Sequence, residues 1–161
     1  MPILHVQYDA QGQTPDGQPI QLPARIALLQ TGPCVQVVIS LAQSLSEQLV
    51  QQGHAVPQPA SGMGLVDTGA STTCIDEALA QRLGLPVIDV VQMTSASHAG
   101  TEANVYPIQM EIVGSPIIVN VPRAIGANLA PQGIVALIGR DYLQHCTLFY
   151  NGLSGEITLS I

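Results

Sequence analysis

The chain contains no lysine and no tryptophan, and its four Lys+Arg residues stand against eleven Asp+Glu, for a net charge of -7. Without lysine there is no P-loop lysine, no Schiff-base lysine and little means of neutralising a phosphate backbone, so nucleic acid is not expected as a partner. Aromatic residues make up only 3%, which leaves no base-stacking platform. Charged residues make up 9%, where an average soluble protein has about 25%. The surface must therefore consist largely of Gln, Ser, Thr and exposed aliphatic side chains, a composition prone to association. Cysteine is scarce and scattered: Cys34, Cys74 and Cys146 form no Cys-x-x-Cys pair, which argues against a disulfide framework or zinc knuckle and for reduced core residues. His5, His54, His98 and His145 share no metal-ligand spacing, and neither metal nor cofactor is expected. No apolar run approaches the roughly 20 residues that cross a bilayer, and the opening MPILHVQYDAQGQ lacks a basic stretch followed by a long apolar one. The expectation is a cytoplasmic protein without membrane contact.

What the chain does have is a hydrophobic content of 47% over 161 residues, enough for one domain with a substantial core. Residues 1–24 read as a peripheral arm, a short apolar opening followed by Gln, Gly and Pro that favour turns over a regular element. The runs RIALLQ and CVQVVIS flank Thr31, Gly32 and Pro33 and predict a β-hairpin over residues 25–40. Leu41, Leu45 and Leu49 then recur four apart with Gly53 as a stop, which predicts an amphipathic helix, and a Pro/Gly-rich loop follows to Gly64. A second helix is expected from Ile75 to Leu83. Strands are expected at 87–93, 104–113, 116–121, 147–150 and 156–161, with a short helix or turn after Gly139. The chain reads as mainly β with two or three helices and no internal repeat.

The chemistry concentrates in Leu65-Val66-Asp67-Thr68-Gly69-Ala70-Ser71, an acid at the end of an apolar strand on a loop whose glycine permits a tight turn. Some seventy residues later comes Ala136-Leu137-Ile138-Gly139-Arg140-Asp141, an apolar pair, a glycine and a polar step into a helical pattern. No Gly-x-Ser-x-Gly elbow and no dinucleotide-binding glycine loop accompanies them.

Together these segments resemble the signatures of the retropepsin-like aspartic peptidases, hydrophobic-Asp-Thr-Gly-Ala/Ser followed by hydrophobic-hydrophobic-Gly and a helix. The resemblance spans residues 25–161, interrupted by an insertion at about 41–64. It implies a closed antiparallel β-barrel of the retropepsin type. It also implies catalysis by Asp67, with Thr68 bonding across a two-fold axis and Gly69 admitting the substrate backbone. Ala70, Ser71, Val135 and Leu137 would face substrate, and Gly139 and Arg140 would support the loop. The segment 94–104, with Gly100 at its tip, looks like the flap. By the same resemblance the final strand could pair with its mate across a dimer; a simple edge strand is the other reading.

The chemistry of this class needs two carboxylates near enough to share a proton, because two adjacent charges in an apolar site cannot both ionise cheaply. With one Asp-Thr-Gly in 161 residues, the second Asp67 must come from another copy, and the expected assembly is a homodimer acting on a polypeptide. One departure stands out. Retroviral members carry an acid two residues after the motif glycine to pair with the arginine, whereas here that residue is Ser71, leaving Asp141 or Asp76 as candidate partners for Arg140. Two functions follow: a homodimeric aspartic endopeptidase, or a catalytically idle relative that binds peptide or dimerises, its cleft remodelled by the insertion helix or the arm.

Overall fold

The computed structural model describes residues 3–93 and 100–161. The chain opens with β1 (Ile3–Gln7) and a small antiparallel hairpin, β2 (Ala10–Gln13) with β3 (Pro19–Leu22). The stretch expected to form only turns thus holds three strands, and Leu4 and Tyr8 are buried in the main core. The Tyr8 hydroxyl donates to the Cys34 carbonyl at 2.7 Å, tying the arm to the strand that follows.

The predicted hairpin over 25–40 does not form. RIALLQ lies in a helix, α1 (Ala24–Thr31), entered from Pro23 and closed by Gly32, whose N–H donates to the Leu28 carbonyl. Neighbours in a strand point to opposite faces, but here Ala27 and Leu28 are both buried while Leu29 is 76% exposed, a helical stripe. Ala, Leu and Arg are also strong helix formers, and burying Leu28 alone contributes about 2 kcal/mol. CVQVVIS does form a strand, β4 (Cys34–Leu41), with Val35, Val37, Ile39 and Leu41 turned into the core.

The expected amphipathic helix is α2 (Gln43–Gln51), with Leu45 and Leu49 packed on the main core. After β5 (Ala60–Val66) comes β6 (Cys74–Asp76), so Ile75 lies in a strand and the second helix, α3 (Glu77–Arg82), starts two residues later than expected. The reason is Asp76, whose carboxylate caps the helix by accepting from Leu79 N. The remaining elements are β7 (Asp89–Met93), β8 (Thr101–Ile112), β9 (Ile118–Ala127), a 3-10 turn at Ala130–Gln132, β10 (Ala136–Ile138), α4 (Arg140–Leu143), β11 (Thr147–Asn151) and β12 (Glu156–Ser160). Four α-helices are present where two or three were expected, the addition being α1.

Six strands close a barrel in the order β4-β5-β10-β6-β9-β8, with β8 returning to pair with β4 and β7 extending from β8. The fold is mainly β and the barrel is closed, as expected. Four of its seams are antiparallel, but β5–β10 and β6–β9 are parallel. The β5–β10 seam carries the two sequence signatures side by side. A separate sheet of order β1-β12-β11 packs Ile157 and Leu159 into the same core. Both edges of β12 are therefore filled within the chain, and the last strand is neither an edge strand nor open to a mate. Among the described residues no helix is long and apolar enough to cross a membrane.

Candidate active site

Asp67 sits where the parallel seam ends. Gly64, Leu65 and Val66 run beside Ala136, Leu137 and Ile138, and the Asp67 N–H continues the ladder by donating to the Ile138 carbonyl at 3.0 Å. The chain then folds back, so that Asp67 Oδ1 accepts from Gly69 N at 2.8 Å and Ala70 N at 3.3 Å. A Cβ on Gly69 would stand 3.0 Å from that same oxygen, which a glycine avoids. Among the described residues Oδ2 accepts no hydrogen bond. Asp67 is half-buried, and Thr68, Gly69 and Ser71 are exposed.

The second signature clasps this loop. Arg140 N donates to the Ala70 carbonyl and Asp141 N to the Ser71 carbonyl, while Arg140 Nη1 reaches the carbonyls of Thr68 at 2.7 Å and Gly69 at 2.8 Å. Neither acid proposed for Arg140 is its partner. Asp141 turns to Thr73 instead, accepting from its backbone N at 2.9 and 3.0 Å and from its hydroxyl at 2.7 Å. The Thr73 hydroxyl in turn accepts from Gly139 N at 3.1 Å. Asp76 is buried and occupied by Leu79 N, Leu129 N and Ala130 N, each at 3.0 Å. Gly139 is where the two segments press together: a Cβ there would meet the Thr72 carbonyl carbon at 2.6 Å, and backbone cannot move aside as a side chain can.

Thr73, Asp141 and Asp76 are thus the site-building residues that sequence reasoning missed. Asp76 carried a readable signal, an acid at a helix start followed by Glu77. The Thr73–Asp141 contact had none.

Beside the loop lies a second apolar cluster, separate from the main core. Register places Cys34, Leu65, Leu137 and Cys74 in one row across β4, β5, β10 and β6. They pack with Leu129 and Ile134 in that cluster. Leu65 and Asp67 are two apart and share a side of their strand, so the row runs up to the carboxylate. Burial, reinforced by the charges of Asp141 and Asp67, pushes the Cys74 thiol up to about 11. Val135 and Leu137, expected together as pocket residues, pack on different clusters; Val135 covers Gly62 on the main-core side. Gly100 lies just before β8, opposite the end of β7, with φ +73, while residues 94–99 of the expected flap lie outside the described residues. A cleft of about 600 Å³ opens nearby between Thr72, Val121, Arg123, Ile125 and Asp141, but Asp67 does not line it. The described residues hold no group of three His, Cys, Asp or Glu that could bind a metal ion.

The family model described as "gag-polyprotein putative aspartyl protease" matches residues 61–145, just over half of the chain, from the start of β5 through α4. The chain belongs to this family. The matched region of this aspartyl protease family member contains Asp67, Arg140, Thr73 and Asp141, so loop and clasp both fall inside it. Among solved structures the chain is similar to a retropepsin-like aspartic protease from Rickettsia conorii, at 12% identity over 98% of this chain and 90% of that one, with a TM-score of 0.49. It matches no curated protein sequence.

Proposed function

We propose that the protein is a homodimeric aspartic endopeptidase in which two copies of Asp67, one from each subunit, activate the water that hydrolyses a peptide bond. The observation that carries this reading is the state of the Asp67 carboxylate. One oxygen is fixed by two loop amides, the other accepts nothing among the described residues, and the group lies outside the neighbouring cleft. Such a half-satisfied carboxylate suits a partner across a two-fold axis. One carboxylate, ionised, takes a proton from water; its twin, protonated, stabilises the oxyanion formed at the carbonyl and returns a proton as the amine leaves.

An extended peptide would lie across the pair as an added β-strand, with the row of Cys34, Leu65, Leu137 and Cys74 favouring apolar side chains. Thr68, exposed at the loop tip, would bond across the axis, Gly69 would let the peptide backbone approach, and Gly100 would belong to the flap above it. The idle-relative reading relied in part on an insertion helix that blocks the cleft. Its support is weakened because α2 follows the end of β4 at Leu41, whereas Asp67 lies beyond the opposite end, where Cys34 pairs with Leu65. Seven strand residues, about 23 Å at 3.3 Å each, separate the two ends.

The test is cleavage of an apolar peptide library by wild type and Asp67→Asn across a range of pH. Asparagine retains the oxygen that accepts from Gly69 and Ala70, so the variant should fold as wild type does and lose cleavage. Equal cleavage by both proteins, or none by either as a dimer, overturns the reading.

A further inference from the structure

We infer that the unpaired edge of β11 is the surface on which two copies of this chain join, forming a continuous six-stranded sheet through the two-fold axis. This rests on the paired Asp67 reading, because it identifies the surface through which the second carboxylate is delivered.

β11 pairs with β12 on one side and, among the described residues, with no strand on the other. Exposed strand edges invite pairing, and proteins usually guard them with charges, prolines or bulges. The other edges with five-residue strands carry charged or ionisable groups: β1 has His5 beside Glu156, and β7 has Asp89 paired with Arg123. β11 reads Thr-Leu-Phe-Tyr-Asn, with no charge, no proline and high strand preference. It also exposes large apolar surface, Phe149 at 59% and Tyr150 at 50%, next to a hairpin turn in which Leu153 is 92% exposed.

The occupant follows from symmetry and position. A two-fold axis normal to a sheet sets a strand antiparallel to its own copy, so an uncharged edge strand can complement itself without a separate partner. β11 is also joined closely to the site. Three residues, Gln144 to Cys146, separate it from α4, whose first residue, Arg140, holds the carbonyls of Thr68 and Gly69. Joining two copies here fixes the positions of two Asp67 loops through short, hydrogen-bonded connections. Full overlap of the five-residue strand places Phe149 against its own copy and Thr147 opposite Asn151 of the second copy, giving an aromatic pair on the axis.

The experiment uses the full chain in sedimentation and cleavage assays, comparing wild type with Phe149→Lys and Phe149→Cys. Because Phe149 is exposed, neither change should disturb the fold, which circular dichroism and thermal unfolding can verify. Phe149→Lys sets like charges opposite each other, so dimerisation should weaken by about tenfold or more, and cleavage per chain should fall at low protein concentration and recover at high. Under mild oxidation Phe149→Cys should form a disulfide-linked dimer that wild type does not, and that dimer should cleave without a dilution-dependent loss. If Phe149→Lys remains as dimeric as wild type, or Phe149→Cys does not cross-link, the β11 interface is wrong while the paired carboxylates stand. If wild type cleaves in an Asp67-dependent way as a strict monomer, the paired reading itself is wrong. Should Phe149→Lys fail to fold, the cross-link of Phe149→Cys decides alone.

Discussion

Arg140 donates through Nη1 to the carbonyl of Thr68, 72 residues earlier in the chain, at 2.7 Å, and through the same nitrogen to Gly69 at 2.8 Å. The arginine thus holds the backbone of the aspartate loop where a carboxylate was expected to hold the arginine. Ser71 is compatible with this arrangement, because what its carbonyl supplies is an acceptor for Asp141 N rather than a charge. The loop is fixed by its main chain, and its side chains stay free to face outward.

Arg140→Ala should therefore act on catalysis more than on folding. The carbonyls it releases are at the surface and regain water, so the stability cost should be about 0.5–1.5 kcal/mol. A loosened loop misplaces the Asp67 carboxylate, and kcat should fall by about 10–100-fold with KM little changed. Arg140→Lys, which cannot offer a planar donor fork, should recover only part of that loss. Steady-state kinetics beside thermal unfolding measures both effects, and an Arg140→Ala variant with wild-type kcat would remove the clasp from the mechanism.

Thr73 should show the opposite balance. Its hydroxyl is fully buried, donates to Asp141 and accepts from Gly139 N. Thr73→Val keeps the shape but leaves the buried Gly139 N–H without its acceptor and Asp141 without its shortest donor. A cost of about 2–3 kcal/mol is expected. Thr73→Ser keeps the hydroxyl and should lose less than about 1 kcal/mol. Urea unfolding of the pair separates the hydrogen bonds from the packing; equal losses in both variants would mean that the methyl group, not the hydroxyl, matters.

The parts of this structure legible in the sequence were those encoded locally. The apolar lead-in to Asp67, the Leu137-Ile138-Gly139 segment and the leucine spacing of α2 each announce themselves within a few residues. RIALLQ did not, because a short apolar run fits a buried strand as well as a helix, and only its neighbours decide which faces are covered. The Arg140 partners were hidden for a different reason: every residue has a carbonyl, so no letter of the sequence marks the ones that accept. The Thr73–Asp141 contact joins positions 68 apart and exists only because β6 and α4 meet beside the closed barrel. The filled edges of β12 depend likewise on β1, which the composition of the arm disguised as turn.

The last prediction concerns alkaline pH. Tyr106 is buried and donates to Glu77 Oε1 at 2.6 Å, an oxygen that also accepts from Asn104 at 2.9 Å and Gln81 at 3.0 Å. Burial first, and the hydrogen bond to Glu77 next, push the phenol up to about 12 from its ordinary 10.0. A folded-state pKa above the unfolded one means that the unfolded chain gives up its proton first. The stability held by the neutral phenol is therefore whole below pH 10 and drains away as pH rises toward about 12. Tyr8 and Tyr142, also pushed upward by burial, steepen the same limb. Tyr106→Phe should cost about 1 kcal/mol near neutrality, since Glu77 keeps two of its donors. It should also make the alkaline fall in stability shallower than in wild type. Urea unfolding at a series of pH values from neutral to strongly alkaline measures the difference, and a variant whose stability falls as steeply as that of wild type would show that Tyr106 ionises no later in the folded protein than in the unfolded chain.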